Sequence, residues 1–217
     1  MEDSYRHKGL RKNLVKLLEE KGISSRAVLE AINKVPRHFF LDSALDQHAY
    51  EDKALAIGEG QTISQPYTVA YQTQLLDVQP NEKILEIGTG SMYQASVLAA
   101  VGAKVFTIER HKKLFDNTKK FPLAKEYKNV KFFYGDGFLG LPTFAPFDKI
   151  LITAAAPHIP QKLIDQLKIG GCMVIPLDEE PAQRMYRITK KEDGILKQEA
   201  FEAFSFVPML EGKVAAR

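Results

Sequence analysis

Three carboxylates set beside glycine-rich turns are the residues best placed to do chemistry. Glu86 precedes Gly88, Gly90 and Ser91 in Glu-Ile-Gly-Thr-Gly-Ser. Glu109 follows Gly88 by about 20 positions and is itself followed by Arg110. Asp136 stands between Gly135 and Gly137. At a strand-to-helix turn, free backbone N–H groups can meet polar ligand atoms, and a carboxylate at the next strand end can accept hydrogen bonds from ribose hydroxyls. Any one of these carboxylates alone reads more readily as a solvated strand end or turn residue. Three at successive strand ends of one sheet form a binding edge.

The elements that must position them are legible around that stretch. Ile84, Leu85 and Ile87 form a short apolar run, read as a buried parallel strand. Residues 93–101 are a helical stretch with Ala95, Leu98 and Ala99 on one face, stopped by Gly102. Val105, Phe106 and Ile108 make a second strand that ends at Glu109. Upstream, Leu10, Leu14, Leu17 and Leu18 mark one helix, and Val28, Leu29 and Ile32 a second, with Ser24 or Ser25 as its cap. Residues 37–65 show no sustained period, and Pro66 then opens a helix. Downstream the expected order is helix 111–120, strand 130–134, strand 148–153, helix 160–167 closed by Gly170-Gly171, strand 173–177, and two strands about a turn at Asp193-Gly194. This predicts an α/β fold: a mostly parallel, doubly wound sheet with an antiparallel C-terminal edge and a helical N-terminal extension.

Composition narrows the function. The chain has 217 residues and a net charge of +3, too small to argue for nucleic acid or a membrane surface. The N-terminus has no apolar signal segment, and no apolar run approaches the ~20 residues of a membrane span. A lone cysteine, Cys172, fits a reducing, cytoplasmic setting and reads as inert core. The histidines His7, His38, His48, His111 and His158 show no metal spacing, so no metal is expected. No apolar stripe stands out, so a monomer is expected.

A nicotinamide or flavin fingerprint wants a third glycine, where this chain has Tyr93. The pattern E-x-G-x-G instead resembles the first motif of S-adenosylmethionine (AdoMet)-dependent methyltransferases. At Gln61-Thr62-Ile63-Ser64-Gln65-Pro66 the resemblance becomes specific. With Val35-Pro36-Arg37, Tyr50-x-Asp52, Gly135-Asp136-Gly137 and Phe206-Val207-Pro208, the chain resembles the protein-L-isoaspartate O-methyltransferases from about residue 10 to residue 210. The resemblance implies a Rossmann-like AdoMet methyltransferase domain over 1–217, with the N-terminal extension and substrate loop at 1–65, a cofactor core at 80–177 and C-terminal strands at 184–210.

It further implies methyl transfer from AdoMet to the free α-carboxyl of L-isoaspartyl residues in damaged peptides and proteins, leaving S-adenosyl-L-homocysteine. Ser64 matches the active-site serine and Thr62 shares its loop. Glu86, Gly88, Gly90, Ser91, Glu109, Arg110, Asp136 and Gly137 fall on the cofactor side, with Asp136 toward the adenine. Pro157-His158 would line the far side of the peptide groove. One position departs: Met92 stands where the family usually has glycine, so weakened cofactor binding is expected if its side chain points inward. A cofactor-binding relative without turnover, a methyltransferase of a small carboxylic acid and a nicotinamide oxidoreductase are the competing readings. Thr62-Ile63-Ser64-Gln65-Pro66 speaks against the second and Tyr93 against the third.

Overall fold

The structure, a computed structural model, describes residues 2–216. Helix α1 (Tyr5–Glu20) begins at Ser4, whose hydroxyl accepts from the His7 N–H. Helix α2 (Arg26–Lys34) begins after Ser25, but neither serine side chain caps it. Gln74 Oε1 accepts from both the Ser24 and Ser25 N–H groups at 2.8 Å, so the cap comes from a distant helix. Residues 37–65 hold more order than their sequence suggests. They form two 3-10 turns, Arg37–Phe40 and Ser43–His48, and a small antiparallel hairpin, β1 (Leu55–Gly58) with β2 (Gln61–Ile63). Strands this short carry too few residues to show an alternation. Helix α3 (Pro66–Leu76) opens on its proline.

The main sheet follows: β3 (Lys83–Ile87), α4 (Tyr93–Val101), β4 (Lys104–Glu109), α5 (Lys112–Lys120), β5 (Val130–Tyr134), β6 (Phe147–Ile152), α6 (Gln161–Asp165), β7 (Leu167–Glu179), β8 (Ala182–Lys190) and β9 (Leu196–Phe204). The strand order is β5-β4-β3-β6-β7-β8-β9. The first five run parallel; β8 then pairs antiparallel with β7, and β9 antiparallel with β8. Chain direction across the sheet reverses beside β3, which pairs with β4 on one side and β6 on the other. That places a switch-point crevice at the carboxyl ends of β3, β4 and β6.

Successive strand residues feed two cores. Ile84, Val105, Leu151 and Val174 face the helices α1 to α4, while Leu85, Phe106, Ile150 and Met173 face the layer that contains α6. Helix α4 was expected to bury one face. Every residue from Tyr93 to Ala99 is buried, because α2 packs over the side turned away from the sheet. The Gly170-Gly171 pair does not close a helix. Helix α6 ends at Asp165, and both glycines lie inside β7, where its pairing with β6 shifts register. A Cβ on Gly171 would stand 2.6 Å from the Asp148 carbonyl oxygen, so the strands need glycine to approach there. Cys172 is half-buried beside the Leu76 carbonyl, and burial pushes its thiol up, which keeps it unreactive. No helix among the described residues is long and apolar enough to cross a membrane.

Candidate active site

The turn after β3 is built by backbone contacts to β4. The Gly88 and Thr89 N–H groups donate to the Ile108 carbonyl at 2.9 and 3.1 Å. Gly88 has φ +99°, and a Cβ there would lie 2.4 Å from Thr153 Oγ1, the hydroxyl that donates to the Ile87 carbonyl from β6's end. Glu109 then locks the turn. Its Oε2 accepts from the Gly90 N–H and its Oε1 from the His111 N–H, both at 2.8 Å. The carboxylate is 4% exposed. Each oxygen has one further lone pair for a ligand hydroxyl.

Gly88, Gly90, Ser91, Glu109, Arg110 and Gly137 all line one cleft. Gly137 is held to glycine by Ile87, whose Cγ2 would be 2.4 Å from an added Cβ. The same cleft includes residues that sequence reasoning did not single out for it. His111 lines it with both ring nitrogens buried and without a partner, Thr153 closes its floor, and Val207, Pro208, Met209 and Leu210 cover it. The place of His111, two residues past the strand-end acid, was the available signal.

Three expected cofactor residues act differently. Asp136 does not line the cleft. Its Oδ1 accepts from the Phe138 N–H at 2.9 Å and its Oδ2 from the Gly212 N–H at 2.8 Å, so it anchors the C-terminal segment. Arg110 shares that task, donating from Nη2 to the Glu211 carbonyl and from Nε to that of Gly212. Glu86 is fully buried beneath the turn, and neither carboxyl oxygen has a hydrogen-bond partner. Burial pushes its pKa up to about 8; the nearby Thr107 hydroxyl pulls the other way, and Glu109 adds to the rise.

Met92 points away from the cleft. It takes φ +75° as the residue before α4, it is fully buried, and it packs in the core with α4. The left-handed backbone costs about 1–2 kcal/mol for a residue with a Cβ. Removing a buried methionine side chain costs more, about 2–5 kcal/mol. Met92 therefore stabilises the chain on balance, and it presents no side chain to the cleft.

A second cleft joins the first. Thr62, Ser64, Thr153 and Val207 line both, and Tyr67, Glu202, Phe204 and Phe206 extend the second across the hairpin and β9. Ser64 stands half-buried at the junction. The Tyr67 hydroxyl donates to Glu202 at 3.3 Å; burial, then the Glu202 charge, pushes its phenol up to about 12. Pro157 and His158 are exposed and line neither cleft; the His158 ring packs 6.0 Å from Phe138.

Elsewhere the fold brings Asp3, His7 and His38 together, with donor atoms within 4.8 Å of one another. The two imidazoles stack at 3.8 Å, which sets their lone pairs side by side instead of converging, and Arg11 grips both oxygens of Asp3. This arrangement suits a hydrogen-bonded cluster better than a cation.

Residues 9–214 match the family model described as protein-L-isoaspartate(D-aspartate) O-methyltransferase (PCMT). The chain belongs to this family. A protein-L-isoaspartate O-methyltransferase of Cytophaga hutchinsonii is 56% identical over 210 residues, covering 97% of this chain and 95% of the relative. A solved protein-L-isoaspartate O-methyltransferase superposes with TM-score 0.83 at 29% identity, over 91% of this chain and 65% of that one. A Plasmodium falciparum structure described as a putative member of the family, in complex with S-adenosyl-L-homocysteine, gives TM-score 0.81 at 25% identity over 92% of this chain and 98% of that one.

Two outcomes follow for this member of the isoaspartate methyltransferase family. Met92→Gly trades the relieved backbone for an emptied core site. Its melting temperature should fall by several degrees, a net loss of about 1–3 kcal/mol. A rise would mean that backbone strain outweighs packing. Glu86 has a folded pKa near 8 against an ordinary 4.5, so the folded chain retains a proton that the unfolded chain releases. Stability should therefore fall as pH rises from about 4.5 to about 8, then level off. Glu86→Gln should remove that slope, so its advantage in melting temperature over the wild type grows from pH 5 to pH 8. A constant difference would show Glu86 ionised in the fold.

Proposed function

We infer that the protein methylates the free α-carboxyl of L-isoaspartyl residues in damaged proteins, with S-adenosylmethionine as donor. The observation that carries this is the meeting of two clefts at Ser64. One cleft has the glycine turn and buried acid suited to a nucleoside, and we assign the other, lined by Tyr67, Glu202, Phe204 and Phe206, to the peptide. Family membership supplies the reaction.

The residues present fit the cofactor. Glu109 has lone pairs for ribose hydroxyls, and His111, whose ring nitrogens have no partner, lines the same cleft. We assign Gly88, Gly90, Ser91, Glu109 and Gly137 to direct cofactor contact. Asp136 and Arg110 act by holding the covering segment 207–214 in place. Glu86 supports the turn from below.

Bound AdoMet supplies an electrophilic methyl on a sulfonium: the C–S bond breaks, a C–O bond forms, and the electron pair returns to sulfur. The acceptor carboxylate is ionised at neutral pH, its ordinary pKa being ~4, so no general base is needed. The protein's task is to hold that carboxylate in line and exclude water while charges cancel. Ser64, followed by the proline-started N-terminus of α3, offers a hydroxyl and a favourable helix end to the substrate carboxylate. Thr62 offers a second hydroxyl at the same junction.

The protein acts as a monomer in the cytoplasm, without nucleic-acid or membrane partners. A single cysteine, a small net charge and exposed apolar residues scattered singly support that assignment.

Transfer of labelled methyl from AdoMet to an isoaspartyl peptide, beside the same peptide with normal aspartate, tests the function. Labelling of the isoaspartyl peptide alone is expected. Equal labelling of both, or of neither by the folded protein, would contradict it.

A further inference from the structure

We propose that Asp52 is a positioning residue for methyl transfer, fixing Ser64 from outside both clefts. This rests on the assignment of the Ser64 junction to the isoaspartyl carboxylate. Ser64 lies between two anchors. On its N-terminal side, Ile63 is 2% exposed in the core and pairs with Leu55 across the hairpin. On its C-terminal side, nothing in the local sequence holds the loop: Gln65 is the residue before α3, and its side chain makes no cap bond to that helix.

The missing cap comes from Asp52. Its Oδ1 accepts from the Tyr67 N–H at 2.8 Å, and its Oδ2 accepts from Gln65 Nε2 at 3.0 Å. The Asp52 side chain is 6% exposed, and Lys21 Nζ, at the end of α1, sits 2.6 Å from Oδ2. One buried carboxylate therefore grips the residues on either side of Pro66 and closes 52–67 into a loop that carries Ser64. The charged acceptor at a helix N-terminus is the strong form of this bond. Asp52 lines neither cleft, so it acts only through the loop it holds.

The network is separate from the one that builds the cofactor turn, which runs through Glu109, Gly90 and His111. Loss of Asp52 should therefore loosen Ser64 while leaving the Glu109-held turn intact. A displacement on the order of 1 Å at a reacting group costs up to about 100-fold in rate.

The test compares wild type, Asp52→Ala and Asp52→Asn, each well below its melting temperature. It reads kcat and KM for an isoaspartyl peptide with AdoMet, and the Kd of S-adenosyl-L-homocysteine by calorimetry. Wild-type turnover is required first; its absence would count against the assigned reaction and not against this role. With turnover present, Asp52→Ala should lower kcat about 10- to 100-fold and leave the Kd within about twofold. Asp52→Asn should recover most of that loss, because its amide oxygen still accepts from the Tyr67 N–H. Wild-type kcat in Asp52→Ala, with only a lower melting temperature, would overturn the proposal. So would a Kd that weakens in step with kcat. Should Asp52→Ala not fold, Asp52→Leu, which keeps the volume without an acceptor, decides in its place: a kcat lowered about 10-fold or more at unchanged Kd supports the role, and an unchanged kcat refutes it.

Discussion

A buried carboxylate that binds two backbone N–H groups is the constraint on which this site depends. Glu109 ends β4 and reaches across to the turn that ends β3, so two parallel strands present one shaped edge. Leaving those amides unpaired in a site meant to exclude water would cost about 1–3 kcal/mol each. With Glu109 in place they are satisfied before any ligand arrives, and the acid retains lone pairs for one. The turn is therefore formed in advance, and little ordering remains for binding to supply.

The remaining architecture serves that edge by burying what lies behind it. Helix α4 follows the turn directly and is covered by the sheet on one side and α2 on the other, which explains its small and apolar residues. Met92 belongs to this packing, and so accepts a backbone conformation that glycine would take without strain. The N-terminal helices are thus part of the support for the turn. Through Lys21 and Asp52 they also reach the loop that carries Ser64.

Much of this was legible in local sequence, and the misses share a cause. Gly88, Gly90 and Glu109 announced themselves because turn chemistry and strand ends are encoded within a few residues. Asp136 reads as a ligand-facing acid, and no local pattern reports that it also holds the Gly212 N–H, 76 positions away. Glu86 sits in a recognisable motif, yet only the folded chain reveals a buried, partnerless carboxyl. Gly170 and Gly171 read as a helix stop because glycine serves both helix ends and close strand approach, and the neighbouring Asp148 carbonyl decides between them. Val207, Pro208 and His111 were visible in the sequence but not as parts of the cleft, because that role comes only from folding against it.

The central claim is that a nucleoside cleft and a peptide groove meet at Ser64. A crystal structure with S-adenosyl-L-homocysteine and an isoaspartyl peptide bound together tests it most directly. The ribose hydroxyls should lie on Glu109, and the peptide's free carboxylate should sit at the junction of Thr62, Ser64 and Thr153 with the cofactor sulfur facing it. A ribose bound away from Glu109, or a peptide carboxylate outside that junction, would contradict the account.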